Sequence, residues 1–359
     1  MVAAEIGATN PRGYNTILLA FWIPNQDGTS NPVDAAIVWA EPERFFNVQN
    51  SQFGTTSEQI RSNLVNEYHK NGVKILVSAF GGTSFPTTQG VPAKACGENL
   101  AQFVIDMQLD GVDLDYEDSD AMEAGTAIPW LIEMTDAMVM KFKATGKKYI
   151  MTNAPQAPYF IDGRYPMNYV AFHNSVLSDG TEVGDYIDSY LVQFYNQGSS
   201  TYSSYTSLFV TSDGWSIGTS VSEIAAKGIP LSKITVGKPI TQADAANTGF
   251  VPVTDLASII DTARQPGNVW ANGRDVGGVM GWRFQSDRDG TWISQLQVAT
   301  AVEPIIINFQ GTGSPDIGVV PDFEVGSFAS SIYSPKEIIA LCCISLGLIH
   351  GLSAMLVAA

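Results

Sequence analysis

The run Asp110-Gly111-Val112-Asp113-Leu114-Asp115-Tyr116-Glu117 is the part of this sequence best equipped to do chemistry. Side chains in an extended strand alternate between two faces. Asp113, Asp115 and Glu117 therefore share one face, and Val112, Leu114 and Tyr116 share the other. An apolar alternate face in mid-chain marks an interior strand rather than a solvated edge, so the three acids would be drawn out of water. Burying carboxylates is unfavourable unless something uses them. Two chemistries fit. Clustered carboxylates suit a divalent cation such as magnesium or calcium. Alternatively, crowded carboxylates cannot all ionise, so one keeps its proton near neutral pH and becomes a general acid. Asp110 falls off the inward face; it is a candidate substrate contact but is expected more to support the strand end.

The elements that must hold these acids follow from the pattern of apolar residues. Short apolar runs alternate with amphipathic segments, as in a parallel α/β sheet or barrel. Strands are predicted at Thr16–Ile23, Lys74–Phe80, Gly111–Asp115, Tyr149–Thr152, Tyr190–Tyr195, Lys233–Val236 and Gly277–Trp282. Helices are predicted at Ser57–Lys70, Glu98–Leu109, Trp130–Ala144, Val253–Ala263 and Trp292–Val302. Ser57 is taken as an N-cap and Asn71-Gly72 as the stop of the first helix.

The expected fold is thus an α/β TIM (β/α)8 barrel, which has eight strands and roughly 250 residues. Glu117 lies at the C-terminal end of its strand, where active sites of such barrels sit. The first strand is the one not visible. Either Val2–Ile6 stands in for it or the N-terminus is truncated, and truncation is the preferred reading. The barrel is assigned to residues 1–308, a Gly/Pro/Ser linker to 309–334 and a hydrophobic tail to 335–359.

The segment DGVDLDYE matches the DxxDxDxE signature of glycoside hydrolase family 18, the chitinases and endo-β-N-acetylglucosaminidases, at all four acidic positions. Other segments agree in order. KILVSAFGG resembles the third-strand motif through Ser78 and Gly81-Gly82. YLVQFYNQG resembles the sixth strand of plant- and fungal-type members, and GVMGW the eighth. The resemblance runs from about Asn15 to Arg283 and implies a glycosidase that uses its substrate as nucleophile. On that basis Glu117 is the catalytic acid and Asp115 holds the 2-acetamido N–H. Asp113 shares a proton with Asp115, Tyr195 steadies the acetamido carbonyl, and Trp282 stacks on the sugar. Gln193 and Asn196 are implied as further sugar contacts, and Trp22 and Gln156 are weaker wall candidates.

No cofactor or metal is implied by the resemblance. The expected partner is chitin or another N-acetylglucosamine-containing glycan, and the expected state is a monomer. Two rival readings share these motifs. One is an endo-β-N-acetylglucosaminidase acting on the chitobiose core of N-glycans. The other is a non-catalytic sugar-binding barrel, which the presence of Glu117 disfavours.

Bulk composition narrows the remaining classes. Hydrophobic residues make up 45% of the 359-residue chain and charged residues 15%, enough apolar content for a well-buried core. The net charge of −17 repels phosphate backbones and anionic headgroups, so nucleic acid is excluded as a partner. Of the cysteines, only Cys96 precedes the linker, so the barrel is expected to hold no internal disulfide. The histidines His69, His173 and His350 lie far apart, and no Cys/His spacing resembles a zinc site.

The N-terminus lacks the basic and apolar regions of a signal peptide. Ile338–Ala359 carries no Asp, Glu, Lys or Arg and is long enough to anchor in a membrane or to act as a removable lipid-anchor signal. An extracellular or cell-surface location is expected.

Overall fold

The computed structural model describes residues 2–4, 14–45, 53–271, 277–287 and 289–298. All belong to the unit Met1–Ile305; the linker and tail assigned to 309–359 lie outside the described residues.

The strands are β1 (Val2–Ala4), β2 (Tyr14–Pro24), β3 (Ser30–Pro32), β4 (Lys74–Phe80), β5 (Gly111–Asp115), β6 (Ile150–Asn153), β7 (Ser189–Gln193), β8 (Ile234–Pro239) and β9 (Val279–Trp282). From β2 through β4, β5, β6, β7 and β8 to β9, every neighbouring pair is parallel. Parallel neighbours need long crossovers, and here each connection carries at least one helix. The main ones are Ser57–Lys70, Ala93–Asp106, Ala127–Ala144 and Val253–Arg264.

At the position of the first strand lies β1, the alternative reading rather than the preferred truncation, although it runs antiparallel where a (β/α)8 barrel has a parallel strand. Val2–Ala4 pairs antiparallel with both β2 and β9 and so closes the ladder on itself. A three-residue segment suffices because its backbone has only to satisfy two flanking edges.

Side-chain alternation divides the apolar residues into two cores. Val77, Val112, Leu114, Tyr190, Val192, Val236 and Val279 face outward and pack under the helices. Leu18, Leu76, Ala154, Leu191 and Met280 form a smaller cluster inside the ring of strands. Buried polar side chains share this inner face: Ser78, Asp113, Asp115, Thr152 and Gln193.

The β4 and β5 limits and the helix Ser57–Lys70 agree with the sequence reading. Its cap does not. Thr56, not Ser57, accepts the hydrogen bond from the Gln59 N–H, because Thr56 is the residue still in extended conformation. The helix predicted at Glu98 begins five residues earlier, at Ala93 directly after Pro92, where a proline at the boundary lets the helix start without a lost donor.

Candidate active site

Register places the acids before any side chain is considered. Ser78 on β4, Asp113 on β5 and Thr152 on β6 are direct neighbours across the parallel ladder. The two hydroxyls donate to opposite oxygens of Asp113, Ser78 Oγ to Oδ2 at 2.7 Å and Thr152 Oγ1 to Oδ1 at 2.7 Å. Asp113 is wholly buried, and burial pushes its carboxyl above the usual range while these two hydrogen bonds pull it back.

Two residues on, Asp115 is almost as buried. It accepts from Gln193 Nε2 at 2.8 Å, and that same nitrogen is steered by the Ala154 carbonyl at 2.9 Å. Burial raises the Asp115 carboxyl well above normal, and the charges of Glu117 and then Asp113 add to the effect. Glu117 is raised as well, chiefly by burial, against a hydrogen bond from Gln156 that favours its charged form. Gln156 Nε2 reaches Glu117 Oε2 at 3.0 Å, and Gln197 Nε2 in turn reaches Gln156 Oε1 at 3.4 Å. Asp115 and Glu117 are neighbouring buried carboxyls, and both hold their protons more tightly than a carboxyl in water. The arrangement can therefore keep a protonated acid at the top of the strand with a tethered, partly neutralised carboxylate below it.

The approach to Glu117 is built from glycine. The β4 strand runs into Gly81-Gly82, and a β-carbon at Gly82 would lie 3.5 Å from Glu117 Oε1. Gly81 adopts φ +78° and its N–H donates to the Asp115 carbonyl at 2.9 Å. Tyr116 and Asp118, on the outer side of the strand end, hold the same loop. Tyr116 Oη donates to Thr87 Oγ1 at 2.8 Å, and the Thr88 N–H donates to Asp118 Oδ2 at 2.8 Å.

Tyr195, just beyond β7, is buried, and its hydroxyl is pushed well above the usual tyrosine range by burial and then by the fields of Asp115, Glu117 and Asp113. The structure thus brings Tyr195 and Gln193 into the electrostatic neighbourhood of the acids. Trp282, at the end of β9, packs on the inner cluster, with its ring centroid 6.1 Å from that of Phe21. The following residue, Arg283, pairs with Asp244 at 3.2 Å and so ties this strand end to the loop after β8.

Several expectations need correction. Asp110 lies at the opposite, N-terminal end of β5, away from Glu117. It accepts from the Ile75 N–H at 2.8 Å and pairs with His69 at 2.8 Å and Lys74 at 3.3 Å, so its carboxylate holds the strand start. Trp22 is wholly buried in the outer core, where its Nε1 donates to Ser30 Oγ at 2.8 Å. The ladder shifts register between Ala20 and Trp22, and this irregularity turns Phe21 to the site in its place. Asn196 reaches the strand end, but its Oδ1 is committed to the N–H groups of Ala246 at 2.7 Å and Asn247 at 3.2 Å.

Gln156 is closer to the chemistry than the sequence signalled, and Phe21 was missed. Strand alternation points to Trp22 unless the bulge is foreseen. Among the described residues no group of three or more His, Cys, Asp or Glu converges as a metal ion would require.

A largely parallel barrel with Asp113, Asp115 and Glu117 rising at the C-terminal end of one strand is the arrangement the family resemblance implied, and comparison with known proteins makes the class that of a glycosidase. The family model for Glycosyl hydrolases family 18 matches residues 9–273, and the chain belongs to that family. A chitinase of Enterococcus faecalis is 24% identical over 323 residues, covering 78% of this chain and 87% of the relative. Among solved structures, a GH18 chitinase from Pseudoalteromonas aurantia superposes with a TM-score of 0.59 at 26% identity, covering 80% of this chain and 92% of that one. A putative chitinase A from Streptomyces coelicolor gives a TM-score of 0.56 at 17% identity over 83% and 94% of the two chains, a likeness of fold.

Proposed function

We propose that this enzyme hydrolyses β-1,4 bonds of N-acetylglucosamine polymers such as chitin by substrate-assisted, retaining catalysis. The observation that carries the reading is the pairing of Asp115, the last residue of β5, with Glu117 two residues beyond it, whose charge acts on Asp115. A displacement with two carboxylates needs acid and nucleophile on opposite faces of the scissile bond. Side chains two residues apart on a strand rise from the same side. Asp115 is moreover nearly inaccessible and held by Gln193, so it is poorly placed to attack an anomeric carbon. This favours the route the family resemblance implies, in which the 2-acetamido group of the sugar is the nucleophile. The likeness to chitinases from Enterococcus faecalis and Pseudoalteromonas aurantia supports the same substrate class.

The proposed steps are those the family resemblance implies, carried by the residues at these positions. The acetamido carbonyl oxygen bonds to the anomeric carbon as the bond to the leaving sugar breaks, and Glu117 passes its proton to the departing oxygen. Asp115 receives the acetamido N–H and balances the positive charge of the oxazolinium ring, while Asp113, itself held by Ser78 and Thr152, shares a proton with Asp115. Tyr195 steadies the acetamido oxygen, and Trp282 with Phe21 supports the sugar face. Water then opens the ring, and its proton goes to Glu117.

The test uses chitin oligomers, their de-acetylated counterparts and a high-mannose glycoprotein. The β-anomer should form first, a thiazoline analogue of the ring should inhibit, and oligomers with a free amine at the reacting sugar should resist cleavage. An inverted product, or equal rates with and without the acetyl group, would rule out substrate assistance. Cleavage of the glycoprotein alone would transfer the enzyme to N-glycans.

A further inference from the structure

Lys238 on β8 is wholly buried and takes no part in the chemistry above. Its ammonium donates to three backbone carbonyls, Phe194 at 2.8 Å, Tyr202 at 2.8 Å and Gly249 at 3.1 Å. The Tyr202 ring also faces it, 5.8 Å from the centroid. Among the described residues no carboxylate lies within ion-pair distance, although the field of Asp213 favours the charged form. Burial pulls its pKa down to about 7. Burying an ammonium with no carboxylate partner is costly, so a lysine here calls for a role beyond packing.

The three carbonyls show what that role is. Phe194 immediately precedes Tyr195. Gly249 adopts φ +94°, and a β-carbon there would lie 2.4 Å from the Tyr195 Cα. Between them, the Asn196 N–H donates to the Thr248 carbonyl at 2.8 Å, and Asn196 Oδ1 receives the N–H groups of Ala246 and Asn247. The segment 246–249 is thus a brace pressed against the backbone of Tyr195 and Asn196. One ammonium ties the brace, the strand end and the Tyr202 loop together.

We propose that Lys238 is a positioning residue for Tyr195, fixing through its three carbonyl bonds the backbone that aims the tyrosine hydroxyl at the acetamido group. The inference rests on the chitinase reading of the site. An ammonium suits the task because it has three donors and no acceptor, matching three carbonyls converging from separate segments.

A double-mutant cycle on a fluorogenic chitin oligomer tests it, with Tyr195→Phe, Lys238→Met and the pair. Lys238→Met should lower kcat roughly tenfold with KM little changed, and should add little further loss once Tyr195 is phenylalanine, since residues acting as one unit are not additive. Affinity for the thiazoline inhibitor should follow the same pattern. Should the methionine variant fold poorly, Lys238→Gln retains two N–H donors and should show a smaller loss with the same dependence on Tyr195. Losses that multiply in the double variant, or wild-type kcat in a folded Lys238 variant, overturn the role of Lys238 and leave the chitinase reading intact. A wild-type enzyme that cuts no N-acetylglucosamine oligomer overturns that reading, and this inference with it.

Discussion

Replacing Glu117 with glutamine tests the centre of the mechanism with little change in shape. The amide oxygen can still accept the hydrogen bond that Gln156 makes to the carboxylate at 3.0 Å, so the side chain should stay in place. Burial disfavours the ionised glutamate. A neutral amide carries no such penalty, and thermal stability should not fall. What disappears is the transferable proton. General acid catalysis contributes roughly 10²–10⁴-fold, or about 2.7–5.4 kcal/mol of barrier at about 1.36 kcal/mol per factor of ten. The interaction is made in the transition state, so kcat and kcat/KM should fall together while the affinity for chitotetraose, measured by calorimetry, is retained. An aryl glycoside whose leaving group needs no proton should show a smaller deficit in its first step. A variant with kcat within tenfold of wild type, or one whose deficit lies wholly in KM, would refute the assignment of Glu117 as acid.

Two further outcomes follow from neighbours of that residue. Glu117 titrates above its ordinary range, so turnover is sustained as pH rises until its proton is lost. Gln156→Leu removes a donor that favours the ionised form and should move the basic limb of the kcat profile upward. A downward move would contradict the hydrogen-bond argument. Asp110→Ala should instead act on stability alone. It strips the partner from the Ile75 N–H and should lower unfolding free energy by about 1–3 kcal/mol, seen as a lower urea midpoint with kcat unchanged. A variant with intact stability and impaired kcat would return Asp110 to the site.

The local rules of the chain were enough to read much of this molecule. Strand alternation is a property of the backbone, so Asp113, Asp115 and Glu117 could be placed on one face from their spacing alone. The apolar run Lys74–Phe80 and the periodic, capped segment Ser57–Lys70 likewise announce themselves without reference to anything distant. Gly81-Gly82 was visible as part of a motif, though not as the opening that lets a backbone approach Glu117.

Pairing between distant segments decided the rest. Whether Phe21 or Trp22 faces the sugar depends on a register shift against β4, which alternation within β2 does not contain. Gln156 and Gln193 reach neighbouring carboxylates only because β6 and β7 lie successively beside β5, and contacts of this kind have no signal at short range. Asp110 reads as one more acid of the motif until β5 is set in the sheet. Its carboxylate then meets Ile75, His69 and Lys74 at the far end of the strand. Lys238 shows the same division most plainly: in the sequence it lies just past the predicted strand Lys233–Val236, and only the loops folded over it supply the three carbonyls that make its burial tolerable. Periodicity is set by bonds along the chain, whereas the partners of a buried polar group are set by which strands become neighbours.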